Sequence, residues 1–171
     1  MISLVQRPLV RLLMVGMVVL TLQTTLFSDL RPFDVVVDLL LGLSAAAGVV
    51  GGPEKGAFVG FVYGILFDLA LVTPFGLSAL TYGLVGFFVG LAKTSITVGQ
   101  AWWLTMLLVF AGSVVGVVLF ASIGTLVGEP GWVDRRLLRV ALVVGVVNGV
   151  LGPLMLPLQR WMLTLRRDAV S

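Results

Sequence analysis

The chain has 171 residues, of which 59% are hydrophobic and 11% charged, and its formal net charge is +3. A soluble domain has about 45–50% apolar and about 25% charged residues, so this composition predicts an integral membrane protein instead. The chain contains no Cys and no His, which leaves no plausible zinc, haem or Cys/His nucleophile site and predicts no cofactor and no metal. The basic residues flank apolar segments and do not indicate a nucleic-acid surface.

Apolar segments of membrane-spanning length recur along the chain. A helix needs about 20 residues to cross about 30 Å of hydrocarbon, and without strand-like alternation helices are predicted rather than a barrel. Short loops connect these segments, so we predict an all-α fold with one six-helix membrane domain over residues 1–171. The predicted spans cover about residues 9–27, 35–50, 56–72, 77–91, 101–127 and 137–158.

The first two spans carry simple signals at their ends. The segment after span 1, Phe27-Ser28-Asp29, has no small-x-small cleavage site, so span 1 is predicted to be a retained anchor rather than a signal peptide. Asp38 falls in the first turn of span 2, where the helix dipole favours an anion by about 0.3–1 kcal/mol. A capping role is the favoured interpretation of Asp38. The segment 51–55, GGPEK, predicts the turn into span 3.

Small residues recur at every fourth position where span 3 begins. Gly52, Gly56, Gly60 and Gly64 fall on one row of the helix surface, and the next step along that row is Asp68. In a membrane, such a row lets another helix approach backbone to backbone, because lipid tails supply no hydrophobic driving force. We predict that this face packs against a partner helix.

Asp68 is the only charged residue between Gly56 and Ala92. A carboxylate in so long an apolar run marks a candidate functional site. Three interpretations stay open: a side chain that reaches interfacial water, a buried latch that fixes the turn into span 4, or a proton or ligand site. Backbone amides of residues 73–77, the Thr73 hydroxyl or Arg31 could bind the carboxylate.

The segment Thr73-Pro74-Phe75-Gly76 predicts a tight turn, because Pro disfavours a helical Thr73 and Gly tolerates positive φ. In span 6, Asn148 predicts a hydrogen bond between helices. Pro153 and Pro157 predict a kink or an unwound turn in the second half of that span.

Basic residues are distributed unequally between the predicted loops. Arg135, Arg136 and Arg139 form a patch before span 6 that could contact headgroups or an acidic partner, although ordinary interfacial anchoring is favoured. With six spans, the positive-inside rule favours cytoplasmic termini, because seven basic residues then lie inside and four outside. The inner seven are Arg7, Arg11, Lys55, Lys93, Arg160, Arg166 and Arg167; the outer four are Arg31, Arg135, Arg136 and Arg139.

Two runs resemble a known family. Residues 60–69 read GFVYGILFDL and residues 73–82 read TPFGLSALTY. They look like the G-F-x-x-G-L-x-x-D-L run and the following Pro/Phe-Gly turn of the rod shape-determining protein MreD family. Residues 23–27, QTTLF, and 38–41, DLLL, are also similar to that family, as are the chain length and the predicted span count.

The resemblance implies a role in the bacterial cytoplasmic (inner) membrane. Members of the family belong to the elongation machinery (elongasome), which controls cell shape through lateral peptidoglycan synthesis. Their partners are MreC, a single-span protein, the actin-like MreB, and RodA with its transpeptidase. They also resemble the six-helix substrate-binding subunits of energy-coupling-factor transporters. Asp68 and the turn Pro74-Phe75-Gly76 are the positions that match the family motif.

Together these observations predict a non-enzymatic membrane scaffold in which the glycine face, or a groove opening beside Asp68, receives the single helix of an MreC-like protein. Membrane lipid and a second copy of the chain are further expected partners. The rival is a small-ligand or lipid-binding transporter subunit, which would need several convergent polar groups. The chain offers a thin set for that: Asp68, Asn148, Tyr63 and Tyr82. An enzyme acting on a lipid carrier would need at least two further ionisable groups inside the membrane.

Overall fold

The computed structural model describes residues 8–29, 35–70, 76–96, 102–128 and 134–163. These residues form an all-α fold, and no strand occurs among them. The five helices are α1 (Pro8–Asp29), α2 (Leu39–Ala70), α3 (Leu77–Ser95), α4 (Trp102–Leu126) and α5 (Arg136–Leu163).

Helix α2 is continuous in sequence but reverses its direction at Gly52. This residue has φ 80° and ψ −176°, outside the helical region, and Pro53 follows it. A Cβ built on Gly56 would lie 2.6 Å from the Cα of Gly48. In an unbroken helix, eight residues would separate these positions by about 12 Å. Residues 39–51 and 53–70 therefore run back to back, as the first and second segments of α2.

The beginning and the end of α2 both approach Tyr82 of α3. The Tyr82 hydroxyl donates a hydrogen bond to the Asp38 carboxylate, and the Tyr82 ring lies 5.6 Å from the Phe67 ring, centroid to centroid. Asp38 and Phe67 flank opposite ends of α2, so only a folded-back helix brings both to Tyr82. The two segments correspond to predicted spans 2 and 3, and the break lies in the predicted turn at 51–55.

Within the described parts of the chain, three helices are long and apolar enough to cross a membrane: Leu77–Ser95, Trp102–Leu126 and Arg136–Leu163. A shorter apolar stretch covers Leu9–Thr25. These lengths and compositions are those of a membrane protein.

Helix α5 continues through both of its prolines to Leu163. The unwound turn predicted for this half of the helix is therefore absent, and the kink stays a prediction. Pro153 and Pro157 are exposed, so their rings need no space in the bundle. Gly152, just before the first proline, and Met155, between the two, are buried.

The first segment of α2 is the centre of the bundle. Every residue from 40 to 48 is buried, as expected of a helix surrounded by other helices. Helix α1 packs outside it, with Gly16 against the Tyr63 and Leu66 side chains of the second segment. Among the described residues, α4 and α5 close the other side through Val109, Ala141 and Val144, all buried.

Helices α2 and α3 approach each other at their backbones. Cβ atoms built on the α2 glycines facing α3 would fall closer than 3.0 Å to backbone atoms of that helix. Real Cβ atoms essentially never come so close, so only glycine allows this separation of the helices. The pairs are Gly48 and Gly56 with Gly86, Gly60 with Tyr82, and Gly64 with Ala79.

This packing predicts a position-specific effect of a single methyl group. Gly60→Ala places a Cβ against the Tyr82 carbonyl, so we expect the free energy of unfolding to fall by about 1–3 kcal/mol. Gly83→Ala, on the facing helix, is the matched control, because its Cβ would lie at an ordinary 3.4 Å or more from its neighbours. Thermal denaturation in detergent micelles measures both variants. Equal midpoints for the two would contradict the close approach.

Candidate functional site

The glycine face predicted to bind a partner is occupied within the chain. Gly56, Gly60 and Gly64 are buried and pack against α3. The prediction that these three residues receive a partner helix is therefore wrong, because α3 already covers them. Gly52, at the start of the row, supplies the positive φ of the reversal and has open space around its Cβ position.

The Asp68 carboxylate is bound by backbone amides at the start of α3. The amide of Gly76 donates to Oδ2 at 2.8 Å, that of Ser78 to Oδ1 at 3.1 Å, and that of Ala79 to Oδ2 at 3.3 Å. The side chain is 5% exposed, so these bonds form away from water. Three donors from one helix end tie the last turn of α2 to the first turn of α3, as a latch requires.

The latch also places the anion at a favourable helix end. Asp68 lies near the C-terminus of α2, where its own helix dipole would repel it, but it contacts the N-terminus of α3, where an anion is stabilised. Gly76 begins α3 in the left-handed region, with φ 95°. Thr73, Pro74 and Phe75 lie outside the described residues, so their predicted part in the turn stays a prediction.

Asp38 has a second set of contacts at the same end of the molecule. Its Oδ1 accepts the Leu41 amide at 3.1 Å, the bond of an N-cap residue with the third helical position. Its Oδ2 accepts the Tyr82 hydroxyl of α3. The capping role predicted for Asp38 agrees with this geometry, and the bond to Tyr82 adds a link between α2 and α3.

Asn148 joins three helices in the bundle interior. Its amide nitrogen donates to the Asp38 carbonyl at 2.8 Å and to the Ser113 hydroxyl at 3.0 Å. The side chain is fully buried, and Gly42 leaves the space that it fills. The bond between helices predicted for Asn148 is present, and it connects α5 with α4 and with the start of α2.

Two buried glutamines act in a similar way and were not among the predicted site residues. Gln23 of α1 accepts the Leu39 amide at 2.9 Å through its Oε1, and Gln159 of α5 donates to the Leu43 carbonyl at 3.0 Å. Both are almost fully buried. Their sequence signal was weaker than that of Asn148, because Gln23 lies among threonines and Gln159 directly precedes Arg160.

A cavity of about 180 Å³ opens beside Asp38. Its polar lining among the described residues is Gln23, Asp38 and Tyr82, and Phe67 and Leu41 contribute apolar walls. A wider cleft of about 400 Å³ adjoins it and is lined by Asp134 and Arg136 among others. These three polar groups bond to one another or to backbone amides, and the rest of the cavity lining is apolar.

The basic patch predicted before span 6 lies at the same end of the molecule as Asp38. Arg135, Arg136 and Arg139 are exposed around the start of α5, and Arg136 lines the wider cleft. The described residues contain no group of three acidic, Cys or His side chains that could hold a metal ion. What the structure brings together is therefore Asp38 with Asn148 and Tyr82, and Asp68 with the α3 amides.

Comparison of the chain with protein-family models, with curated proteins and with solved structures finds no match. The similarity to the MreD family accordingly rests on the residues quoted above, 60–69 and 73–82 foremost.

The latch predicts a specific loss when its charge is removed. Asp68→Asn replaces one acceptor oxygen with an NH₂ group that faces amide donors, so we expect stability to fall by about 1.5–3 kcal/mol. Faster hydrogen exchange at Ser78 and Ala79 should accompany it. Glu54→Gln, at an exposed carboxylate, is the matched control. Unchanged exchange at these two amides would rule out the latch.

The contacts of Asn148 predict that losing a hydrogen bond between helices costs more stability than losing one within a helix. Asn148→Ala should destabilise the protein by about 0.6–2 kcal/mol, because bonds to two other elements are lost. Ser122→Ala removes only the bond to the Val118 carbonyl of its own helix and should have little effect. Thermal denaturation measures both. A larger loss for Ser122→Ala would refute the bridging role.

Proposed function

We propose that this chain is a non-enzymatic scaffold of the bacterial elongation machinery, similar to MreD, and that it binds an MreC-like single-span protein. The observation that carries the proposal is where the motif residues lie. Gly60, Gly64 and Asp68, which give the resemblance, pack or latch α2 against α3. A motif used to build a helix pair, with its acid bound to backbone amides, suits a scaffold better than an enzyme.

The proposal includes six membrane crossings. Helices α3, α4 and α5 supply three, α1 supplies one, and the two antiparallel segments of α2 supply two more. An even number puts both termini on one side. Among described residues, Arg11, Lys55, Lys93 and Arg160 lie at one end, where α2 reverses, and by the positive-inside rule we assign that end to the cytoplasm. This arrangement supports the likeness to energy-coupling-factor subunits that the resemblance implies.

The partner helix would have to dock on an outward face, because α3 covers the glycine row. Such a face offers large apolar side chains in contact with lipid, which a single-span helix could displace. MreB would associate from the cytoplasmic side, and RodA with its transpeptidase within the membrane. A second copy of the chain is a further partner under this proposal.

Photocrosslinking in the source bacterium tests the proposal. Photoreactive residues are placed at one exposed position on each helix, and the one on the face that binds the partner should capture the MreC-like protein. A photoreactive residue at buried Val59 should not. Depletion of the chain should turn rod-shaped cells into rounder ones, measured as the length-to-width ratio. Unchanged shape with no MreC-like adduct at any outward position would refute the scaffold role. Exposed positions, one per helix, are Leu13, Phe61, Phe88, Val115 and Val146.

A small-ligand or lipid-binding transporter subunit is the second candidate, and the cavity beside Asp38 is the observation that favours it. A cavity of about 180 Å³ with mostly apolar walls and the bonded pair of Asp38 and Tyr82 at one side would hold a small ligand. Native mass spectrometry of the gently purified protein distinguishes the candidates. A bound small molecule that is lost in Asp38→Asn would support the transporter subunit, whereas a co-eluting MreC-like protein would support the scaffold.

A further inference from the structure

A cleft at the end where α2 reverses combines positive charge with an apolar wall. It measures about 430 Å³, within the range of about 300–1,000 Å³ typical of small-ligand sites. Lys93 from the end of α3 and Arg160 from the end of α5 line it, with Thr105 from the first turn of α4. None of its lining residues in the described part of the chain is acidic. The charged side chains that line the cleft in the described residues are thus both basic.

The next lining residues are apolar and come from α2 and, again, from α5. Val49 and Val50 lie just before the reversal of α2, and Leu156 lies on α5. A free inorganic anion would gain nothing from these side chains. A ligand with an acidic head and a hydrocarbon part would use both halves of the cleft.

The tryptophans at the start of α4 indicate the depth of the cleft in the membrane. Trp102 lines the cleft and is 71% exposed, and its neighbour Trp103 is 53% exposed. Exposed tryptophans at a helix end concentrate at the headgroup level of the bilayer. The two cations beside Trp102 would therefore lie where lipid phosphates are.

We propose that this cleft binds an anionic phospholipid, with the headgroup phosphate between Lys93 and Arg160 and the upper acyl chain against Val49, Val50 and Leu156. Thr105 adds a hydroxyl that can donate to a phosphate oxygen. The cleft joins the ends of α3 and α5 to the start of α4, so the lipid would tie three helices together. The proposal needs only a membrane-embedded bundle and is independent of the scaffold role.

Lipid titration of the full chain in neutral detergent, followed by native mass spectrometry, tests the proposal. We expect phosphatidylglycerol to bind at least tenfold more tightly than phosphatidylcholine. Removing both charges in Lys93→Gln/Arg160→Gln should weaken phosphatidylglycerol binding by about thirtyfold, since each basic residue near an anionic headgroup contributes about fivefold. Binding of phosphatidylcholine should not change.

The matched control is Lys55→Gln, which removes an exposed cation that does not line the cleft and should leave phosphatidylglycerol affinity unchanged. Lys93→Gln alone, which removes one cation of the cleft, should weaken binding by about fivefold and keeps the comparison available if the double variant fails to fold. Equal affinity for both lipids, or equal losses in Lys93→Gln and Lys55→Gln, would overturn the proposal. Full displacement of the lipid by millimolar inorganic phosphate would overturn it as well, because the ligand would then be a free phosphate.

Discussion

The reversal of α2 at Gly52 is the constraint on which the rest of this structure depends. It stacks the two segments of α2 against each other and lays both on α3, at a separation that tolerates no Cβ at Gly56, Gly60 or Gly64. In lipid, where apolar surface gains little from burial against another helix, such close backbone contact supplies much of the association. The central position of residues 40–48 in the bundle follows from the same fold-back, since α1, α3, α4 and α5 are arranged around it.

Polar contacts then fix the geometry that the glycines permit. At one end, Asp68 holds the start of α3, and Asp38 with Tyr82 and Asn148 joins α2 to α3, α4 and α5. At the other end, Lys93 and Arg160 surround an open cleft. The acids near the first end bond to amides and a hydroxyl of the protein itself. The lipid site proposed above lies at the second end.

Much of this arrangement could be predicted from the sequence, because it depends on local chemistry. The break at 51–55 follows from Gly-Gly-Pro, the capping role of Asp38 from its position, and the latch from a lone carboxylate near a Pro-Gly turn. The occupant of the glycine face could not be predicted, since residue spacing shows that a helix can approach closely and not which helix does so. The bond between Asp38 and Tyr82 could not be predicted either, because it joins residues 44 positions apart on two different helices, and no local pattern pairs them. The unwound turn predicted in α5 is absent, and the exposure of Pro153 and Pro157, which leaves their rings outside the bundle, is set by tertiary packing.

A distance measurement across α2 tests the fold-back most directly. The chain has no Cys, so the double variant Val36→Cys/Leu69→Cys would carry spin labels at these two positions alone. Both positions are exposed and can take a label. A straight helix over these residues would be about 50 Å long. Electron–electron double resonance in lipid nanodiscs should give a separation between the labels of well under half that length. A separation near 50 Å would mean that α2 runs straight through Gly52, and the glycine packing, the Tyr82 contacts and the proposal of six crossings would all fail with it.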